Sequence, residues 1–204
     1  MNPVPFVVLR HGPTAWNGAG RLQGRADIPL DADGIATARR WRLPPQFVGY
    51  RWLTSPLGRA VETARLLGLD AAVEPALIET DWGHWEGRSL AALRATDPSM
   101  AEREAAGLDL AAPGGESPRA VQARLTPLLA TIATACLPTG GVTHKGVIRA
   151  LLSLATGWDM TGAPPVRLDW SSAHLFALDG NGRPHLEQAN IPLRQEASSN
   201  PCAS

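Results

Sequence analysis

The 204-residue chain is expected to fold as an α/β three-layer sandwich, with a mainly parallel central sheet flanked by helices on both faces. Three observations lead there. Strand-like and helix-like patterns alternate along the chain, the signature of a sheet built through crossover helices. The first strand candidate, Pro5-Phe6-Val7-Val8-Leu9, is a continuous apolar run, as a strand covered on both faces requires. The run ends at Arg10-His11-Gly12, and open α/β sheets place their ligand sites at the carboxyl ends of strands.

The remaining elements follow in order. Asp31 or Asp33 can cap a helix running to about Leu43, where Pro44-Pro45 stops it. Arg51–Thr54 reads as the second strand. Ser55-Pro56 offers a cap and a first-turn proline for a helix to about Leu67, with Gly68 ending it. Ala72–Glu74 is a short strand candidate. Residues 81–113 hold two helix candidates, about Ser89–Thr96 and Ser99–Ala106, and read as a lid-like excursion over the strand ends. Ser117-Pro118 opens a helix in which Val121, Leu125, Leu128, Leu129, Ile132 and Cys136 recur at helical spacing; Pro127 should kink it. Gly141–Thr143 forms a strand ending at His144, followed by a helix that Gly157 ends. Ala173–Leu178 and His185–Ala189, joined by Asp179–Gly182, read as a hairpin. Residues 1–194 are taken as one catalytic domain and 195–204 as a disordered polar tail.

Composition narrows the function classes. Apolar residues make up 44% of the chain, and no stretch approaches the roughly 20 apolar residues that span a bilayer. Val4–Leu9 is too short for a secretory signal, so the chain is read as cytoplasmic. With 19 basic and 19 acidic residues, bulk charge does not favour nucleic acid. Of the basic residues only Lys145 is lysine; the others are arginine, whose planar fork suits phosphate oxygens. Cys136 and Cys202 suggest no disulfide framework; Cys136 is assigned to the helix's apolar face and Cys202 to the tail. His-Glu-x-x-His, Cys-x-x-Cys and carboxylate clusters are absent, so no metal and no cofactor are expected.

The chemistry concentrates at two strand ends. His11 and His144 each follow a strand candidate directly, and parallel strands would bring both imidazoles to one edge. Arg10 adjoins the first, and Arg59 lies near a helix start, where free N–H groups and the dipole favour anions. Two arginines and two histidines around one point suit a dianionic phosphoryl group. Singly, each feature has an ordinary structural explanation: a capping serine, a core histidine, a solvated carboxylate.

Together the motifs resemble the histidine phosphatase (phosphoglycerate-mutase-like) superfamily, in family order over about Val7 to Arg149. The resemblance rests on Leu9-Arg10-His11-Gly12-Pro13-Thr14-Ala15-Trp16-Asn17 and on Arg21–Leu30 with Gly34 after it. It continues through Ser55-Pro56-Leu57-Gly58-Arg59-Ala60-Val61-Glu62-Thr63-Ala64, Leu77-Ile78-Glu79 with Gly83–Gly87, Gly114–Ser117 and Thr143–Arg149. It implies that His11 is a nucleophile forming a phosphohistidine. Arg10, Arg59 and His144 would make a cationic cradle. Asn17 and the Gln23-Gly24 backbone would add phosphate contacts, and Glu79 would be the general acid, with Glu86 and Asp81 as weaker candidates. Lys145 stands where the family commonly has glycine, as either a solvated residue or a contact to an acidic group of the substrate. Trp16, Trp82 and Trp85 lie within site motifs and could line the pocket; His84, His174 and His185 are read as structural or surface residues.

The expected activity is metal-independent hydrolysis of a small-molecule phosphate ester. The alternatives are a cofactor-dependent phosphoglycerate mutase and, from another class, an inactive interaction module. Mutases of this family usually carry a longer excursion after the acid motif, which favours the phosphatase. The presence of His11, Arg59, Glu79 and His144 speaks against the inactive module. A monomer or homodimer is expected.

Overall fold

The computed structural model describes residues 2–195. In chain order it holds β1 (Val4–Arg10), α1 (Ala15–Gly18), α2 (Ala32–Arg40), β2 (Trp41–Arg42), β3 (Arg51–Thr54), α3 (Gly58–Leu66) and β4 (Ala71–Val73). Then come α4 (Leu90–Thr96), α5 (Met100–Ala105), α6 (Pro118–Ala135), β5 (Thr139–Thr143), α7 (Lys145–Thr156), β6 (Ser172–Leu178), β7 (Pro184–Pro192) and β8 (Arg194–Gln195). A six-stranded sheet runs β4-β3-β5-β1-β6-β7. Its first four strands pair in parallel and its last two join antiparallel, so the sheet is mixed and, as expected, mainly parallel.

The continuous apolar run of β1 serves two cores. Phe6 and Val8 face one cluster with Val121, Leu125 and Leu129 of α6 and Val147, Ile148 and Leu151 of α7. Val7 and Leu9 face the other, with Ala38 of α2 and Ala60 and Ala64 of α3. Successive strand side chains point to opposite faces, so a strand between two helical layers must be apolar throughout. A third cluster, around Trp85, Leu93, Met100 and Ala112, packs the 81–113 segment on itself.

Four local expectations are corrected. The helix expected to reach Leu43 ends at Arg40, because Trp41 and Arg42 pair with Gln195 and Arg194. The same pairing draws the backbone of Gln195, assigned to the tail, into a strand; the rest of the predicted tail, Cys202 included, lies outside the described residues. Ser55-Pro56 does not open α3, whose cap is Leu57. Cys136 is exposed and ends α6 in a left-handed conformation (φ 53°). The helical spacing that suggested a core position breaks there, just before Leu137-Pro138.

His174 is a core residue of β6. Its Nδ1 accepts the Asn190 backbone N–H at 3.2 Å, and burial pulls its pKa from 6.5 to about 4. The unfolded chain therefore takes up this proton near pH 6.5 and the folded chain only near 4. The stability this difference provides is complete above pH 6.5 and is lost as pH falls toward 4, by roughly 3 kcal/mol at that end. The expected result is a melting temperature that drops less between pH 7 and 4.5 in His174→Gln than in the parent protein. Equal drops would contradict the assignment.

Candidate active site

The parallel pairing of β1 with β5 places Arg10 opposite Thr143, and the His11 N–H extends the ladder to the Thr143 carbonyl at 3.0 Å. The residue after each strand is thus a histidine at the same edge. The rings of His11 and His144 lie 5.1 Å apart, centroid to centroid. Arg59 enters from the first turn of α3, and Glu79 from the loop after the 3₁₀ turn Pro75–Leu77.

His11 Nδ1 lies 2.6 Å from the Gly12 carbonyl oxygen. A carbonyl can only accept, so Nδ1 carries the proton and Nε2 keeps its lone pair. Burial, then the Arg10 and Arg59 charges, hold this imidazole well below the usual histidine range. The free protein therefore presents a neutral, oriented nucleophile. Gly12 is tied in turn through its N–H to Thr63 Oγ1 at 3.0 Å, and that hydroxyl donates to the Arg59 carbonyl at 2.7 Å.

Arg59 is fully buried. Its two terminal nitrogens donate to the Ala26 and Gly24 carbonyls at 2.8 and 2.7 Å, and Asp27 lies 3.9 Å away. Arg59 therefore anchors the 23–27 loop while bringing charge to the site. Glu86 braces the same loop, accepting the Arg25 and Ala26 N–H groups at 2.6 and 3.1 Å. Gly24 has φ +56°, and a Cβ there would run into the Glu86 carboxylate, so the turn requires glycine. Committed to this brace, Glu86 is not available as the acid. Asp81 is also committed: it accepts the Gly83 N–H at 2.8 Å and pairs with Arg25 at 3.4 Å.

Glu79 is nearly buried. One of its oxygens accepts the Thr80 N–H at 2.8 Å, and the pair accepts the Gly146 N–H at 3.1 and 3.2 Å. A Cβ at Gly146 would strike Thr80 Oγ1 and Glu79 Oε1, so the glycine that matters here follows Lys145. Arg124 fixes the chain just before Glu79, donating to the Ala76 and Ile78 carbonyls, and pairs at 2.9 Å with Glu116, which accepts the Asp81 N–H just after it.

His144 differs from its expected role as a cationic member of the cradle. It is fully buried against His11 rather than on the cavity wall. Burial first, then the Arg59 and Arg10 charges, keep it well below the usual range and so neutral. Its Nε2 pairs with Ser55 Oγ at 2.7 Å. Arg10 Nε, Arg59 Nε and His144 Nδ1 are buried with no hydrogen-bond partner among the described residues. Unsatisfied buried donors are costly, and the two arginine nitrogens beside His11 fit an oxyanion; His144 Nδ1 joins them as a donor in the tautomer in which Ser55 Oγ–H donates to Nε2.

A cavity of about 760 Å³ opens over this cluster, lined by Arg10, His11, Asn17, Gln23, Gly24, Arg59, Glu79 and Lys145. Asn17 Oδ1 accepts from the Thr14 backbone and hydroxyl at 3.1 and 3.2 Å, which leaves its NH₂ for the cavity. The Gln23 side-chain NH₂ gives one of its two N–H donors to Thr14 Oγ1 at 2.7 Å. Trp82 and Trp85 line the cavity and Trp16 does not. His84 and His185 lie off its wall. Arg149, quoted in a motif but given no role, also lines it. Its spacing of four from Lys145 was the available signal. Among the described residues, no group of three or more His, Cys, Asp or Glu could hold a metal, and no helix is long and apolar enough to cross a membrane.

Known proteins share the sequence pattern and the fold of this chain. Residues 6–192 match the histidine phosphatase superfamily (branch 1). The bifunctional protein Rv2228c of Mycobacterium tuberculosis is 35% identical over 127 residues, 56% of this chain; the match spans only about a third (33%) of that relative's length. A probable phosphoglycerate mutase, GpmB, of Enterobacter sp. is 32% identical over 160 residues, 74% of each chain. A mycobacterial glucosyl-3-phosphoglycerate phosphatase solved with VO3 superposes with a TM-score of 0.73 at 27% identity, covering 92% of this chain and 99% of that one.

Proposed function

Since the chain belongs to the histidine phosphatase superfamily, we propose that it is a phosphomonoesterase that hydrolyses a small phosphorylated metabolite through a phosphohistidine on His11. The observation that carries this reading is the His11 Nδ1 to Gly12 carbonyl bond, 2.6 Å long, which leaves Nε2 unprotonated at the floor of an arginine-lined cavity.

In the first step the Nε2 lone pair attacks phosphorus and the bond to the leaving oxygen breaks. Glu79, in its acid form, gives its proton to that oxygen, and the alcohol departs. In the second step Glu79, now a carboxylate, takes a proton from water as the water oxygen attacks phosphorus. The P–N bond breaks, phosphate leaves and both residues are restored. Arg10 and Arg59 stabilise charge on the equatorial oxygens, where fixed donors in a partly dry site act most strongly, and His144 backs His11 from behind the cavity wall, adding a donor at Nδ1 if Ser55 Oγ–H donates to its Nε2. Asn17 and the Gly24 backbone complete the phosphate contacts, and Lys145 faces the leaving portion. Splitting the reaction through a covalent intermediate replaces one hard step by two easier ones.

The guanidinium groups supply the positive charge that a metal ion supplies elsewhere. Hydrolysis of a panel of phosphate esters is therefore expected to proceed undiminished in EDTA. A large loss in EDTA restored by Mg²⁺ or Zn²⁺ would overturn metal independence. The named mutase relatives support a second reading, in which the product is rephosphorylated before release. Adding 3-phosphoglycerate and its bisphosphate to the panel separates the two: phosphate release without isomerisation supports the phosphatase, and interconversion of phosphoglycerates the mutase. The phosphatase is preferred because of the short 81–113 segment and the likeness to a phosphatase over 92% of the chain.

A further inference from the structure

We propose that Lys145 and Arg149 form a second anion subsite in the cavity, so that the preferred esters carry a further anionic group, a carboxylate or second phosphate, on the leaving portion. The inference rests on the phosphatase reading of the same cavity and names its substrate class. Lys145 is the first residue of α7 and Arg149 lies four residues on, about 6 Å along the helix and on the same face. Both line the cavity that holds His11.

Each cation is held by an aromatic face. Lys145 Nζ sits 5.3 Å from the centroid of Trp170, and the Arg149 guanidinium carbon 4.8 Å from that of Trp158. Such contacts orient a cation without neutralising it. Other cations of this region have acidic partners: Arg94 pairs with Glu104 at 2.7 Å, and Arg25 with Asp81 and Glu116 at 3.4 Å each. Among the described residues neither Lys145 nor Arg149 forms an ion pair within 4.0 Å, although the Glu79 charge reaches Lys145 from beyond that distance.

This arrangement is unfavourable in the free protein. A lysine at a helix N-terminus opposes the dipole, and like charges four apart on a helix repel. Lys145 is exposed; partial desolvation of its ammonium, then Arg10 and Arg149, lower its pKa, with Glu79 opposing them. A bound anion would relieve all of these. The position also selects the leaving portion. Lys145 is next to Gly146, whose N–H holds the Glu79 carboxylate, and Glu79 is the group proposed to protonate the leaving oxygen. The phosphoryl group itself is already served by Arg10 and Arg59.

The test is calorimetric binding of non-hydrolysable probes to the intact protein. Methylphosphonate offers one anion. Phosphonoacetate, 3-phosphonopropionate and 4-phosphonobutyrate add a carboxylate at increasing reach, and methylenebisphosphonate adds a second phosphonate. At least one two-anion probe is expected to bind about 10-fold tighter than methylphosphonate. That ratio should fall to near unity in Lys145→Met and in Arg149→Met and be largely retained in Lys145→Arg. No preference in the parent protein, or a preference that survives both methionine variants, would overturn the subsite. Two separate substitutions keep the test open if one of them fails to fold. Hydrolysis measured in parallel isolates the underlying reading. A binding preference without turnover of any ester would remove the phosphatase and leave the subsite, whereas turnover without preference would do the reverse.

Discussion

Replacing His11 by alanine is expected to lower turnover by at least about 10⁴-fold on every substrate, because no other group can accept the phosphoryl. The protein should nonetheless stay folded. The ring makes one hydrogen bond, to Gly12, worth about 1 kcal/mol. The backbone bond to Thr143 is retained, and the space left by the ring adjoins the open cavity. Loss of a neutral imidazole also removes a group whose protonation disfavours the folded state at acid pH. Initial rates and a thermal melt of the same preparation check both halves. Near-normal turnover would show that the nucleophile lies elsewhere.

The second large effect belongs to Glu79. Glu79→Gln keeps an oxygen that can accept from Thr80 and Gly146, so geometry is preserved and only proton transfer is lost. General acid catalysis contributes roughly 10²–10⁴-fold, and kcat on alkyl phosphates is expected to fall by that amount. Aryl esters with good leaving groups need less protonation, so their phosphorylation of His11 should slow much less. If both ester classes lose rate equally, Glu79 acts as a structural or electrostatic element and not as the acid. Glu86→Gln is a useful contrast: its carboxylate holds the 25–26 backbone, and its loss should act through the loop whatever the leaving group.

Much of this site could be read from the chain because strand and chemistry are contiguous. β1 and β5 are each followed directly by a histidine, and a parallel sheet aligns such strand ends. What could not be read depends on partners distant in sequence. Ser55-Pro56 carries the same signal whether it caps a helix or, as here, turns the chain so that Ser55 meets His144, 89 residues later. Glu86 looked like a spare acid because its two N–H partners lie 60 and 61 residues away. The early end of α2 at Arg40 reflects pairing with the far end of the chain, a tertiary contact overriding helical preference. The family resemblance implied a cationic cradle that included His144. Its complete burial, which makes it neutral, is a property of the packed fold alone.

The most direct test of the account is to quench the protein during turnover of a phosphate ester, under alkaline conditions that preserve phosphoramidates, and to map the phosphoryl group by mass spectrometry. The expected result is one phosphoryl group on the peptide containing His11, lost on mild acid treatment and absent from the His11→Ala variant. Sustained turnover with no phosphorylated histidine, or with the phosphoryl group on another residue, would contradict it.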